Sequence, residues 1–218
     1  MKTHPILFST EMVQAILAGK KTMTRRPIKG IINENPDDWQ FEWMDYSCKK
    51  EWRFTQKSTV NEESLKNRDF IQEAIRCPYG KVALNDQLWV RETWQHTKCL
   101  NIHPSDEESY GYVYRANGDP WEDFEGWRWK PSIFMPREAS RITLEVINVR
   151  VERLWDISEE DAKAEGVQEE PPFTPFNMKD KPSFKAGFFR VWENIHGQDS
   201  HCGAKNWVWV IEFKRIMP

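Results

Sequence analysis

Ser9-Thr10-Glu11-Met12-Val13-Gln14-Ala15-Ile16-Leu17-Ala18-Gly19-Lys20-Lys21-Thr22-Met23-Thr24-Arg25-Arg26 reads as one short helix that stops at a glycine and delivers a dense polar cluster. Ser9 or Thr10 caps the start, where free backbone N–H groups need an acceptor. Met12, Val13, Ile16 and Leu17 fall on one face at helical spacing. Gly19 stands where a helix end favours a residue with positive φ. Lys20, Lys21, Thr22, Thr24, Arg25 and Arg26 follow, and Pro27 closes the run. An extended chain alternates its faces, which puts Lys21 and Arg25 on one side and Thr22, Thr24 and Arg26 on the other. A tight turn after Gly19 would instead bring Lys21 and Thr24 together.

Outward from this stretch the signals are short strands and small helices. Residues 5–8, Pro-Ile-Leu-Phe, read as a first strand leading into the helix. Residues about 28–80 have no single period and read as an insertion, with an aromatic hairpin candidate from Trp39 to Trp52 and a short helix candidate within 61–76. Cys77 to Gly80 and Asn85-Asp86 are turn signals. Leu88 to Trp94 reads as a strand in which Arg91 and Glu92 interrupt an apolar run, as a surface pair or an inward polar site. Residues 95–131 read as a second insertion with one short strand at Tyr110 to Tyr114.

The longest strand signal is Arg141 to Leu154. Ile142, Leu144 and Val146 share one phase and Val149 and Val151 the opposite one, which predicts a β-bulge or sharp bend near Ile147-Asn148. Ser158 to Gly166 has the signature of a short capped helix, with Asp161 at the capping-box position. Residues 168–182 are Pro-rich and read as a loop, Ser183 to Ile195 as an amphipathic helix, and Trp207 to Phe213 as the last strand. The pattern predicts an α+β domain built on a small curled barrel, with the whole chain, 1–218, as one domain.

Composition narrows the partners. The chain has 218 residues and a net charge of −3, which disfavours binding of long nucleic acid by bulk electrostatics. The local cluster from Lys20 to Lys29 still suits one phosphate or a short strand. Tryptophan is abundant, with 12 copies, and a share of these rings is available to stack on bases. No apolar run approaches the ~18 residues of a membrane span, and the N-terminal apolar run is too short for a signal peptide. The expected setting is the cytoplasm, without a membrane. The four cysteines, Cys48, Cys77, Cys99 and Cys202, are widely spread, as suits reduced thiols.

Two candidates carry chemistry. A threonine hydroxyl becomes a nucleophile when a base removes its proton, and a lysine serves if burial or neighbouring cations lower its pKa. Lys21 and Thr24 meet that description, with Lys20, Arg25 and Arg26 as the cations. The bland alternative is that lysines past a helix C-terminus merely complement its dipole. Glu165 sits in the last turn of its helix, where the dipole disfavours a negative charge unless a cation pairs with it. It suits a general acid or a partner of Lys21, or else a solvated surface glutamate. His96, Cys77, Cys99 and His201-Cys202 are ligand types without ligand spacing, so no metal is expected. No Walker loop, G-x-G-x-x-G or G-x-S-x-G occurs, and no cofactor is expected.

Gly19 to Arg26 resembles the G-x-K-x-x-[ET]-x-R signature of the ASCH domain family, a branch of the PUA-like fold. Asp86 to Thr93 resembles that family's G-D-x-L-x-V-R region, with Asn85 in place of the glycine. Ser158 to Gly166 and Trp207 to Phe213 resemble its helix after the central strand and its closing strand, and Trp129 to Arg137 is similar to longer ASCH proteins of phages and prophages. The resemblance implies a barrel of five or six strands with flanking short helices and a cleft for a nucleoside, a nucleotide or short RNA. The best-defined enzyme with this domain is the small bacterial N(4)-acetylcytidine amidohydrolase, whose catalytic lysine, threonine and glutamate fall in the same motif positions. That likeness implies Lys21 as proton acceptor, Thr24 as nucleophile and Glu165 as proton donor. Arg26, Arg25, Trp89, Arg91 and Glu92 are the expected substrate-binding residues. A non-catalytic RNA- or nucleotide-binding module, and a ribonuclease in which Thr24 is dispensable, are the rival expectations.

Overall fold

The structure is a computed structural model that describes residues 1–28, 39–46, 49–56, 82, 85–96, 111–118, 127–171, 181–197 and 207–216. The elements in chain order are β1 (Thr3–Leu7), α1 (Thr10–Leu17), β2 (Met23–Pro27), β3 (Trp39–Tyr46), β4 (Lys49–Gln56), β5 (Gln87–Arg91), β6 (Trp94–His96), β7 (Tyr112–Tyr114), β8 (Thr143–Arg153), α2 (Glu159–Ala164), α3 (Phe184–His196) and β9 (Trp207–Ile216). The fold is mixed α+β. Five strands form one sheet in the order β1-β5-β8-β9-β2, with β1 and β5 parallel and the other neighbours antiparallel. The aromatic hairpin expected near Trp39 is β3 paired with β4. The helix expected within 61–76 and the turn at 77–80 lie outside the described residues.

β9 explains how the layers form. Its sequence Trp-Val-Trp-Val-Ile is apolar on both faces, as a strand covered on both sides requires. Trp209, Ile211 and Phe213 join one core, with Ile6 and Phe8 at β1, Val13 and Ile16 of α1, and Leu144 and Val146 of β8. Val208 and Val210 join a second core on the opposite face, with Met23, Ala162 of α2, and Phe188, Phe189 and Trp192 of α3. Helix α1 therefore covers one face of the sheet, and α2 and α3 cover the other.

β8 carries the expected irregularity: its pairing with β9 shifts register between Val146 and Asn148. The extra residue returns Val149 and Val151 to the first core, beside Leu144 and Val146. Arg150 and Glu152 consequently point to the second face.

The single strand expected from Leu88 to Trp94 is one of the readings the structure corrects. The run from Leu88 to Trp94 is two strands, because β5 ends at Arg91 and β6 starts at Trp94. Between them the Glu92 carboxylate turns inward to Arg141 and its N–H donates to Met135 Sδ, so the chain leaves the sheet. β6 then pairs with β7. Part of the second expected insertion is integral to the fold, since Ala116 enters the first core and its carbonyl accepts from Gln14 Nε2 of α1.

Among the described residues no ladder joins the two edge strands, β1 and β2, so no closed barrel is formed there. The sheet nevertheless curls. Arg26 Nη2 on β2 donates to the Leu7 carbonyl of β1 at 2.6 Å. Among the described residues, no helix is long and apolar enough to cross a membrane.

Candidate active site around Lys21 and Glu165

Two helix ends converge on Lys21. Ser9 caps α1 by accepting from the Met12 N–H. Gly19, at φ +70°, reverses the chain after α1, and the N–H groups of Lys20 and Lys21 both donate to the Ala15 carbonyl. On the other side, Ser158 caps α2 by accepting from the Asp161 N–H, and Glu165 follows the last helical residue. The segments then lock together: the Thr22 N–H donates to the Ala164 carbonyl, and the Phe213 N–H to the Thr22 carbonyl. Gly166 has φ +80°, and a Cβ placed on it would lie 2.8 Å from the Cβ atoms of both Ala15 and Lys21. Glycine is therefore what lets the end of α2 meet the end of α1.

The Lys21 side chain is wholly buried in this junction. Its Nζ donates to Glu165 Oε2 at 2.6 Å and to the Glu165 carbonyl at 2.8 Å. An ammonium has three N–H donors, so one remains uncommitted among the described residues. Nζ also lies 5.7 Å from the Phe8 ring centroid. Burial pulls the amine below its ordinary pKa. Glu165 opposes that shift, and the positive charges of Arg26 and Arg25 add to it.

Arg25 binds carboxylates of the protein itself. Its fully buried guanidinium donates to Asp161 at 2.6 Å, Glu152 at 2.9 Å and Glu165 at 3.4 Å, and lies 5.8 Å from the Phe188 ring centroid. Arg150 of β8 backs this network through Asp161, Glu152 and Glu212. Expected to meet substrate, Arg25 instead lies beneath the site and braces Glu165 from the α2 side.

Of the two readings of this run, face alternation holds within β2, which starts at Met23 and leaves Lys21 and Thr22 outside the strand. Directly opposed residues of an antiparallel pair share a face. Arg25 opposes Val210 of the second core, whereas Thr24 opposes Ile211 and Arg26 opposes Trp209 of the first core. Thr24 is buried, and among the described residues its hydroxyl makes no side-chain hydrogen bond. Arg26 is half-buried, with its guanidinium 5.4 Å from the Phe8 ring centroid. Lys21 and Glu165 are thus joined directly, and Arg26 shares the Phe8 ring with Lys21.

The other expected binding residues lie across β1 from this cluster. The Phe8 N–H donates to the Arg91 carbonyl at 3.1 Å. The Arg91 guanidinium lies 5.5 Å from the half-buried Trp89 ring. Glu92 is 1% exposed and is clamped bidentately by Arg141, with both N···O distances 2.9 Å, so its carboxylate is already taken. The sequence reading missed His196, at the end of α3. Its ring stacks 4.2 Å from Trp192, and desolvation, then the positive charge of Arg26, hold its pKa below the usual imidazole range. Nothing local distinguishes His196, because its approach to Arg26 is set by how α3 packs on the sheet. Among the described residues no group of His, Cys, Asp and Glu is arranged to hold a metal ion. Cys77, Cys99, His201 and Cys202 lie outside the described residues.

No family model, curated protein or solved structure matches this chain.

Proposed function

We propose that the protein is an amidohydrolase of ASCH-like, PUA-like type that acts on an acylated nucleoside or nucleotide. The observation that carries the reading is the wholly buried Lys21 paired at 2.6 Å with Glu165. A surface lysine at a helix end is solvated and protonated. A buried one, with its pKa lowered by desolvation, releases its proton at a lower pH than a surface lysine does.

The buried pair has two tautomers, ammonium–carboxylate and amine–carboxylic acid, related by one proton shift along the 2.6 Å contact. The neutral tautomer supplies a base and an acid together. Thr24 Oγ adds to the amide carbonyl carbon as its proton passes to Lys21 Nζ. Arg26 faces the oxyanion that develops. The C–N bond then breaks, Glu165 protonates the leaving amine, and the acyl group remains as an ester on Thr24. Water cleaves the ester, restoring the threonine hydroxyl and releasing a carboxylic acid. The pair meanwhile returns to its resting proton count.

The experiment is incubation with N(4)-acetylcytidine, following release of cytidine by chromatography, with Lys21→Ala and Thr24→Ala in parallel. Turnover is expected in the wild type and in neither variant, with the circular dichroism of all three alike. Turnover that persists in both variants overturns the reading. The absence of a side-chain hydrogen bond to the Thr24 hydroxyl among the described residues favours a second reading, a ribonuclease in which Lys21 and Glu165 act on the RNA's own 2′-hydroxyl. Thr24→Ala would then leave RNA cleavage intact.

A further inference from the structure

Trp129 to Arg137 contributes nothing to the Lys21 cluster, yet it is firmly built. Met135 is buried against Trp94 and Ala139, and the Glu92 N–H donates to its sulfur. The Ile133 carbonyl accepts from the Arg91 guanidinium. On this anchored turn Ile133 and Phe134 face outward, 56% and 70% exposed. A large aromatic held in water by a fixed backbone does not contribute to the core. With Ile133 it gives the turn an exposed apolar face.

The cations around it have the same character. Arg91 and Arg137 both lie against the Trp89 ring, at 5.5 and 5.4 Å from its centroid. Among the described residues neither has a carboxylate partner. The acids nearby are engaged elsewhere: Glu92 by Arg141, and Glu138 by the Tyr112 hydroxyl. In a chain of net charge −3, two neighbouring arginines with no carboxylate partner among the described residues mark a local anion-binding surface. Arg137 is exposed, and among the described residues its N–H groups are open to phosphate oxygens, whereas Arg91 spends Nη2 on the Ile133 carbonyl and contributes its charge.

The surface is linked to the candidate active site across β1, whose edge separates the first-core face of Arg26 from the opposite face of Leu7 and Arg91. Leu7, 38% exposed, lies directly opposite Arg91 in the β1–β5 ladder, and its carbonyl accepts from Arg26. Arg26, Leu7, Arg91 and Phe134 therefore form a path from the site across the outer edge of β1. Alternating cations and an exposed aromatic along a path match a single strand, whose phosphates and base faces alternate. A protein-binding patch of this kind would be more apolar at its centre and poorer in charge.

We infer that the Arg91–Arg137–Phe134 surface holds the nucleotides flanking a target residue, so that the substrate is a single-stranded polynucleotide rather than a free nucleoside. This rests on the amidohydrolase reading for the role of the strand, but not for its binding.

The test is fluorescence anisotropy with a labelled ten-nucleotide unstructured RNA over a series of salt concentrations. The proteins are the wild type, Phe134→Ala and the double variant Arg91→Gln/Arg137→Gln. The wild type is expected to bind at low salt. Phe134→Ala should weaken binding by about 5- to 150-fold through the lost stacking. The double variant should lower the slope of log K against log salt by about 1.4, from two phosphate contacts at about 0.7 each. Urea unfolding checks that the variants are folded. A wild type that does not bind at low salt overturns the inference. So does binding that neither change affects, or a surface that takes up anionic lipid vesicles and not RNA. Because the readout needs no turnover, it fails separately from the amidohydrolase reading.

Discussion

Glu92 and Glu165 are both buried carboxylates at the ends of secondary-structure elements, and each faces a cation at hydrogen-bonding distance. The cations differ in kind. Arg141 grips Glu92 through two parallel bonds, stacks 4.0 Å from the Tyr114 ring centroid and also donates to Asn117. A guanidinium does not give up its proton in a protein. That pair is a fixed clamp joining the end of β5 to the 115–117 turn and the start of β8. Lys21 can lose its proton, its burial favours that loss, and one of its donors is uncommitted among the described residues. The two pairs differ in what their cation is able to do: arginine keeps its proton and fixes geometry, whereas lysine is able to release one.

Four changes break or sharpen that contrast. The largest effect is expected from Lys21→Met, which should lower turnover of N(4)-acetylcytidine by about 10²–10⁴-fold, as loss of a general base does. Arg25 still faces Glu165 in that variant, so the fold should survive. Cytidine release and a urea melt read the two effects separately. Arg141→Met should do the converse. It strands the Glu92 carboxylate in the interior at a cost of about 3–5 kcal/mol in urea unfolding, while turnover per folded molecule stays near that of the wild type. Equal activity losses in the two variants would erase the distinction.

Gly166→Ala should cost about 1–3 kcal/mol for a side chain forced into the left-handed region. It should also depress turnover, because the new Cβ meets Lys21. Thermal unfolding and initial rates check both. The smallest effect is on pH dependence. Lys21 has a lowered pKa when folded and about 10.4 when unfolded. Between those two values the unfolded chain binds more protons, so this residue makes stability rise with pH in that window. Below the folded value it contributes no slope. Denaturant midpoints measured against pH should show the rise in the wild type and lose it in Lys21→Met. The turnover rate should climb over the lower part of the same window as the amine loses its proton.

Local features were legible in the sequence because local chemistry causes them. Ser9 and Ser158 cap their helices as expected, and Gly19 and Gly166 take the positive φ that their positions require. The phase switch between Val146 and Val149 located the bulge, because a period-two pattern can change phase only by an extra residue. Lys21 and Glu165 stood out as residues in unusual electrostatic positions, and their meeting is observed. The long-range ion pairs were not legible. Arg141 lies 49 residues from Glu92, and Asp161 lies 136 from Arg25. No periodicity links partners that far apart. The break at Glu92 was hidden for the same reason: Leu-Trp-Val-Arg-Glu-Thr-Trp continues the pattern of a strand, and what ends it is a cation from another element.

The bulge in β8 makes the length of this strand as informative as its composition. Before Val146 the odd positions face away from the first core; after Asn148 the even positions do. Arg150 and Glu152 reach Arg25 and Asp161 only because of that one extra residue. Deleting Ile147 would leave every other residue of the chain in place, yet it would turn Val149 and Val151 toward the charged network and Arg150 and Glu152 toward the apolar core. One missing residue would act as four simultaneous substitutions, so this strand tolerates changes of identity at Ile147, which is exposed, far better than changes in count.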